Sequence, residues 1–316
     1  MSPAVPSVSV VVPVLNAQPW LADLLGSLMA QQPSPPREII LVDSGSTDGT
    51  QAEAARWSGV RVVPIASFTH GGARNLGARQ AGGDLLFLLT QDARPADVHT
   101  LAHLVAALDQ PDVVAAYARQ IPRADAHPME QFFLADRFPA RPAVVRRAVA
   151  GRPLLVGDVF FSNVAALIRR SALLAHPFDE TLIMSEDQQF SRDVLLAGHA
   201  VAYAPEAVVI HSHNYTLGVC LRRYFDSVYS LRQLFHGHDF GTTWRMGWTY
   251  QWRELKFMVR KYPGWLPYYV AYCSAKILGT LASHFAERMP RSWARALSLH
   301  RYYWSDEKKL QHAEAG

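Results

Sequence analysis

The stretch Leu85-Leu86-Phe87-Leu88-Leu89-Thr90-Gln91-Asp92-Ala93 decides the fold. Its uncharged run, rich in Leu and Phe, reads as a buried strand. Asp92 then falls just beyond the strand's C-terminal end, where open α/β sheets place their ligands. A lone acid at a desolvated sheet edge is costly unless it meets a cation or a hydrogen-bond donor. Taken alone, Asp92 is equally a helix cap for the segment after Pro95.

Working back towards the N-terminus, the same alternation repeats. Val8-Ser9-Val10-Val11-Val12-Pro13-Val14 is a β-branched strand, with Pro13 expected to stop its pairing. Trp20, Leu21, Leu24, Leu25 and Leu28 recur at helical spacing, and Pro33, Pro35 and Pro36 end that helix. Glu38-Ile39-Ile40-Leu41-Val42-Asp43 is a second strand, followed by the turn Ser44-Gly45-Ser46-Thr47-Asp48-Gly49-Thr50. A helix and a short strand, Val60-Arg61-Val62-Val63-Pro64, come next. Short joins between strands and helices imply a mostly parallel sheet with right-handed crossovers. Such a sheet puts Pro13–Asn16, Asp43–Ser46 and Thr90–Ala93 on one C-terminal rim, the usual form of a nucleotide pocket. A dinucleotide-binding Rossmann domain is excluded, because G-x-G-x-x-G should follow the first strand and Pro13-Val14-Leu15-Asn16 contains no glycine.

The 316 residues are 49% apolar and 18% charged, which marks a folded chain. Cys220 and Cys273 show neither metal spacing nor a disulfide framework, so a reducing compartment is expected. Met1-Ser2-Pro3-Ala4-Val5-Pro6 lacks the basic start and apolar core of a secretion signal, which adds to a cytoplasmic expectation. The net charge of +4 is unevenly spread: residues 1–214 carry 16 Arg against 20 acids, and residues 215–316 carry 15 basic residues against 7 acids. The later segment also holds 21 of the 34 aromatic residues. The expected division is a catalytic domain over 1–214 and a helical, basic and aromatic-rich region over 215–316 that associates with a membrane or oligomerises.

Several of these segments together resemble the inverting family 2 glycosyltransferases of GT-A type, in their bacterial rhamnosyltransferase-like branch. The matching pieces are Val10–Asn16, Glu38–Thr50, Phe68-Thr69-His70-Gly71-Gly72-Ala73-Arg74-Asn75, Phe87–Pro95, Phe178-Asp179-Glu180-Thr181-Leu182 with Ser185-Glu186-Asp187, and His211-Ser212-His213-Asn214-Tyr215. They run in the family's order over roughly residues 7–235. The family's metal motif is usually Asp-x-Asp. Here it is Thr90-Gln91-Asp92, as in the rhamnosyltransferase-like branch.

The resemblance implies an enzyme that moves a sugar, by branch rhamnose from dTDP-rhamnose, onto a glycan or lipid-linked acceptor in cell-surface polysaccharide synthesis. A UDP-hexose or UDP-N-acetylhexosamine donor is an alternative. A catalytically silent nucleotide-sugar-binding partner is another, raised by the neutral Thr90. The implied donor contacts are Pro13, Asn16, Asp43, Ser44, Arg74, Gln91 and Asp92, with Arg74 and Asn75 near the diphosphate. A divalent cation, Mg²⁺ or Mn²⁺, is the expected cofactor, since hard oxygen ligands suit both ions. Asp92 is the first ligand, with His211 and His213, which alternation puts on one face, as further candidates. By resemblance Asp187 is the base that takes the acceptor's proton, Glu186 orients it or contacts the acceptor, and Asn163 lies on the acceptor side. Without the family context, Glu186 and Asp187 would read as acids complementing a helix dipole.

In the C-terminal third, Trp244, Trp248 and Trp252 fall on one helix face, among Arg245, Arg253, Lys256, Arg260 and Lys261. Two readings stand: an element lying on the inner-leaflet membrane surface, or a Trp stripe buried against the catalytic domain or a twin subunit. Trp265–Phe285 contains Pro267, Lys276 and His284 and is not expected to span a membrane. No nucleic-acid-binding module is recognised.

Overall fold

The structure is a computed structural model; it describes residues 6–235 and 240–305, and the side chains of all of these except 240–246. Trp244 and Arg245 of the expected Trp face therefore lie outside the described side chains.

The strands are β1 (Val8–Val14), β2 (Glu38–Asp43), β3 (Val60–Pro64), β4 (Leu85–Leu89), β5 (Arg94–Pro95), β6 (Val113–Ile121), β7 (Val144–Arg147), β8 (Ala165–Arg169) and β9 (Ala200–Ile210). They form one sheet in the order β3-β2-β1-β4-β8-β6-β9-β5, with β7 also pairing β9. β1 pairs in parallel with β2 and β4, β2 with β3, and β6 with β9. The antiparallel members are β8 between β4 and β6, and the short β5 and β7 against β9. This mostly parallel sheet flanked by helices is the GT-A architecture expected from the sequence.

Alternation along the central strands sorts side chains between two faces. Val10, Val12, Ile39, Leu41, Phe87 and Leu89 share a core with Leu21, Leu24, Leu25 and Leu28 of α1 (Gln18–Met29). Those four leucines contribute roughly 6–12 kcal/mol of transfer free energy before chain entropy is counted. Trp20 lies off this stripe and is exposed, so the buried face of α1 is narrower than its apolar spacing suggests. After the short α2 (Thr50–Ala54) comes α3 (His70–Gln80), which lies against β1 and β2. A Cβ at Gly77 would collide with Val11 Cγ1, so glycine is what permits this approach.

Pro13 does not end the pairing of β1. It stays in register with Val42 of β2, and that ladder runs on to Val14 and Asp43, while the ladder to β4 stops at Val11 and Leu88. Beyond that point Gln91 takes over: its Oε1 accepts from Leu15 N (2.8 Å) and its Nε2 donates to Leu15 O (3.1 Å). A side-chain amide thus replaces the missing strand pairing at the edge where a proline can be tolerated.

The remaining helices are α4 (Thr100–Ala106), α5 (Pro128–Arg137), α6 (Arg170–Ala175), α7 (Glu186–Leu196), α8 (Leu217–Leu234), α9 (Phe240–Lys261), α10 (Leu266–His284) and α11 (Arg291–Leu297). The chain divides into two compact units: residues 1–125, 134–181 and 186–212, which hold the sheet, and residues 126–133, 182–185 and 213–316. In the second unit α10 packs on α8, where a Cβ at Gly279 would collide with Leu221 O. Asp226 of α8 accepts from Leu299 N (2.8 Å) and His300 N (3.4 Å), fastening the segment after α11. No helix among the described residues is long and apolar enough to cross a membrane.

Candidate active site

The three polar strand ends lie side by side, because β2, β1 and β4 are parallel neighbours. Asn16 takes a left-handed φ of 51°, a conformation Asn tolerates better than most residues, and its Oδ1 accepts from Thr47 N at 2.9 Å. Its own N–H donates to Ser46 Oγ (2.9 Å). Asp43 is buried and accepts from Ser46 N (2.9 Å), Ser46 Oγ (2.6 Å) and Gln51 Nε2 (2.8 Å). Burial opposes its ionisation, but these donors outweigh it and hold its carboxyl below the ordinary range. Ser44 Oγ donates to Val14 O at 3.1 Å. Asp43 and Ser44 thus shape the turn after β2, and Gln91 fastens the segment after β4 to the end of β1.

Asp92 faces the end of β9. Its Oδ2 lies 3.6 Å from His211 Nε2, too long for a direct hydrogen bond. The other ring nitrogen, Nδ1, is 2.9 Å from Gln120 Oε1 on β6. A carbonyl oxygen there favours the tautomer with its proton on Nδ1, which leaves the Nε2 lone pair towards Asp92. A carboxylate oxygen and an imidazole lone pair are both ligands for Mn²⁺ or Mg²⁺. Two ligands about 2.1 Å from one ion typically stand about 3 Å apart, so this pair fits a cation with a small adjustment. Arg123 ties the same corner together, donating to Asp92 O through Nη2 and to Ser212 O through Nη1 (2.7 Å). His213, the third ligand candidate, opens the second unit. There its N–H donates to Glu130 Oε1 (3.3 Å) and its ring stacks on Tyr215 at 5.1 Å.

The acids at 186 and 187 are the first two residues of α7, and they follow Ser185, whose φ is 67°. A serine in the left-handed region is uncommon, and such local strain concentrates at functional segments. Glu186 is buried and pairs with Arg74 of α3, Nη1 to Oε1 at 3.2 Å. Arg74 Nη1 also donates to His70 O (3.0 Å). The sequence reading set Arg74 beside a diphosphate; the structure gives its guanidinium Glu186 as ion-pair partner. Asn75, expected beside it, grips the preceding loop instead: Nδ2 donates to Phe178 O (2.8 Å) and Glu180 Oε1 (2.9 Å), and Oδ1 accepts from Phe178 N (3.1 Å).

Asp187 accepts from Gln188 N (2.8 Å) and Asn163 N (3.4 Å). Burial, and then the negative charge of Glu186 beside it, push its carboxyl up to about 7. Glu186 moves the other way. Burial works against its charge, yet Arg74 and then His70 overcome that and hold it below the ordinary carboxylate range. Two adjacent acids driven apart in this manner are suited to divided roles, one able to exchange a proton near neutrality and the other ionised there.

One stretch of backbone connects the two halves of the site. Thr90 N donates to Val164 O (3.1 Å), so the segment carrying Asp92 runs beside the entry to β8. Asn163, one residue earlier, bonds to both acids, its Nδ2 donating to Glu186 Oε1 at 3.4 Å. Ser162 accepts from Gln120 Nε2 (3.0 Å), whose Oε1 holds His211. A polar chain therefore runs from His211 through Gln120 and Ser162–Asn163 to Glu186 and Arg74. Gln120 and Arg123 were missed by sequence reasoning. The signal was faint: a polar residue near the end of the apolar run Val113–Ala118, in a strand no motif marks.

Comparison with known proteins accords with this geometry. The model of glycosyl transferase family 2 matches residues 9–175. The chain is 32% identical to the O-antigen chain rhamnosyltransferase RfbN of Salmonella typhimurium, over 95% of this chain and 96% of that one. It is 30% identical to the O-antigen chain rhamnosyltransferase WbaN of Salmonella anatum, with the same coverage of each. Among solved structures, the mannosyltransferase PcManGT from Pyrobaculum calidifontis, in complex with GDP-Man and Mn²⁺, superposes with a TM-score of 0.56 at 19% identity, covering 95% of this chain and 86% of that one. The S. aureus TarS fragment in complex with UDP-GlcNAc gives 0.54 at 15% identity, covering 93% and 84%. The sheet order, the polar rim and the family match lead to one statement: the chain belongs to glycosyl transferase family 2, with a GT-A fold.

Proposed function

We propose that this glycosyltransferase works with inversion and moves rhamnose from dTDP-rhamnose onto a glycan or lipid-linked acceptor of cell-surface polysaccharide synthesis. The observation that carries the reaction is Asp187, a carboxylate with its pKa near neutrality and its oxygens aimed by two backbone N–H groups. It takes the proton from the acceptor hydroxyl as that oxygen bonds to the anomeric carbon. The bond from that carbon to the diphosphate oxygen breaks, and the nucleoside diphosphate leaves with the electron pair. Glu186 stays ionised on Arg74 and keeps Asp187 basic enough for this role.

Pro13, Asn16, Asp43, Ser44 and Gln91 frame the nucleotide end of the donor, with Asn163 on the acceptor side beside Asp187. Asp92 and His211, with His213 two residues further along the chain, would hold Mn²⁺ or Mg²⁺. Such an ion supplies charge compensation for the departing diphosphate. The sugar identity is supported by the two rhamnosyltransferase relatives, which match nearly end to end.

The test is a thermal-shift panel of dTDP-rhamnose, UDP-glucose and UDP-N-acetylglucosamine, each with Mn²⁺ and with EDTA. A donor bound at 100 times its Kd stabilises the native state by about 2.7 kcal/mol. The expected result is a shift with dTDP-rhamnose that EDTA weakens. A shift confined to a UDP-sugar would overturn the donor assignment, and transfer that persists in Asp187→Asn would overturn the base.

A further inference from the structure

Helix α10 is amphipathic in the opposite sense to a helix facing water. Its one lysine, Lys276, is only 4% exposed. Lys276 Nζ lies 2.9 and 3.1 Å from the carboxylate oxygens of Glu254 on α9, within 5.0–5.7 Å of the ring centres of Tyr272, Tyr250 and Tyr224. Long cationic side chains ordinarily reach outward to water. Here the charge points inward and the outward ridge is apolar: Val270, Ile277, Leu278, Leu281 and, just past the helix end, Phe285. Val270, Leu278 and Phe285 are 62%, 56% and 57% exposed. The other exposed positions on α10, Pro267 and Ser274, carry no charge.

The chemistry of the other exposed side chains in this unit indicates what meets this ridge. α9 exposes Trp248 (65%) and Trp252 (53%) together with Arg253, Lys256, Arg260 and Lys261, and Lys256 Nζ sits 5.5 Å from the Trp252 ring centre. α11 exposes Trp293 with Arg291 and Arg295. Among the described residues from 213 onward, Asp226 and Glu254 are buried, and Glu287 is the one exposed acid. Apolar and indole side chains among cations match the boundary of an anionic bilayer. A second copy of the chain fits less well, because an isologous contact would set this cationic surface against itself.

We propose that the outward ridge of α10 inserts into the headgroup–acyl boundary of an anionic lipid bilayer, flanked by Trp248, Trp252 and the cations of α9. The helix lies in the interface and does not cross it. This surface is independent of the transfer reaction, so its test uses neither donor nor acceptor. The full chain is floated with vesicles of phosphatidylcholine alone and with equimolar phosphatidylcholine and phosphatidylglycerol, at low and high salt. The expected result is binding to the anionic vesicles that weakens with salt. Leu278→Ser/Leu281→Ser should lower the partition coefficient roughly 10–100-fold. Both positions are exposed, so an unchanged melting temperature verifies the variant's fold. No flotation of the wild type, or equal flotation of the variant, overturns the proposal. A concentration-dependent dimer that the variant abolishes, without vesicle binding, overturns it in favour of self-association.

Discussion

Replacing Asp187 by Asn should produce a more stable and inactive protein at pH 8. In the folded state this carboxyl titrates at about 7, against an ordinary value of 3.8. Between those two values the folded protein holds a proton that the unfolded chain has released, so stability falls as pH rises through that window. At about 1.4 kcal/mol per pH unit, the full cost above pH 7 is about 4 kcal/mol. Asn keeps one acceptor oxygen for the N–H groups of Gln188 and Asn163, and the lost hydrogen bond costs about 1 kcal/mol. The net expectation is a gain of about 3 kcal/mol at pH 8, a rise in Tm of roughly 4–5 °C for a protein of this size. At pH 4, where the wild-type carboxyl is protonated in the fold, the gain should vanish or reverse. Thermal unfolding of both proteins, followed by circular dichroism at pH 4, 6 and 8, reads this directly. A variant less stable than wild type at pH 8, or a difference independent of pH, would refute the claim that the fold holds Asp187 in an unfavourable charged state.

Two further substitutions test the chain of contacts behind that base. Arg74→Met leaves Glu186 buried without its cation and should cost about 3–5 kcal/mol of stability, whereas adding Glu186→Leu should restore most of it. An arginine that served only a bound diphosphate would leave the melting temperature of the free protein unchanged. Gln120→Leu removes the acceptor at His211 Nδ1 and should weaken Mn²⁺ binding about 10–100-fold, measured by titration calorimetry. Unaltered affinity would mean that His211 takes no part.

The parallel half of the sheet was legible because strands buried on both faces leave apolar runs too conspicuous to miss, as at Val8–Val14 and Leu85–Leu89. The direction of β8 was not legible. It reverses between β4 and β6, a matter of pairing partners that no single segment records. Asp92 was visible from its place after β4. Glu186 and Asp187 were visible through family resemblance alone, since acids opening a helix are common. The partner of Arg74 was hidden, because 112 residues separate it from Glu186 and only packing of α3 near α7 joins them. Gln120 and Arg123 were hidden for a related reason. Their roles arise from the register of β6 with β9, which brings Gln120 opposite Val209 and Ile121 opposite Ile210.

The neutral side chain at Thr90 has a consequence for electroneutrality. Its hydroxyl is buried without a hydrogen-bond partner, so residues 90–92 bring one formal charge to the rim where paired carboxylates would bring two. Arg123, whose guanidinium holds the Asp92 carbonyl and the Ser212 carbonyl, supplies an equal and opposite charge at the same corner. Protein charges there already cancel. A doubly charged diphosphate and one divalent ion would then enter as a self-neutralising couple, and the corner would have little standing repulsion against the anion arriving first.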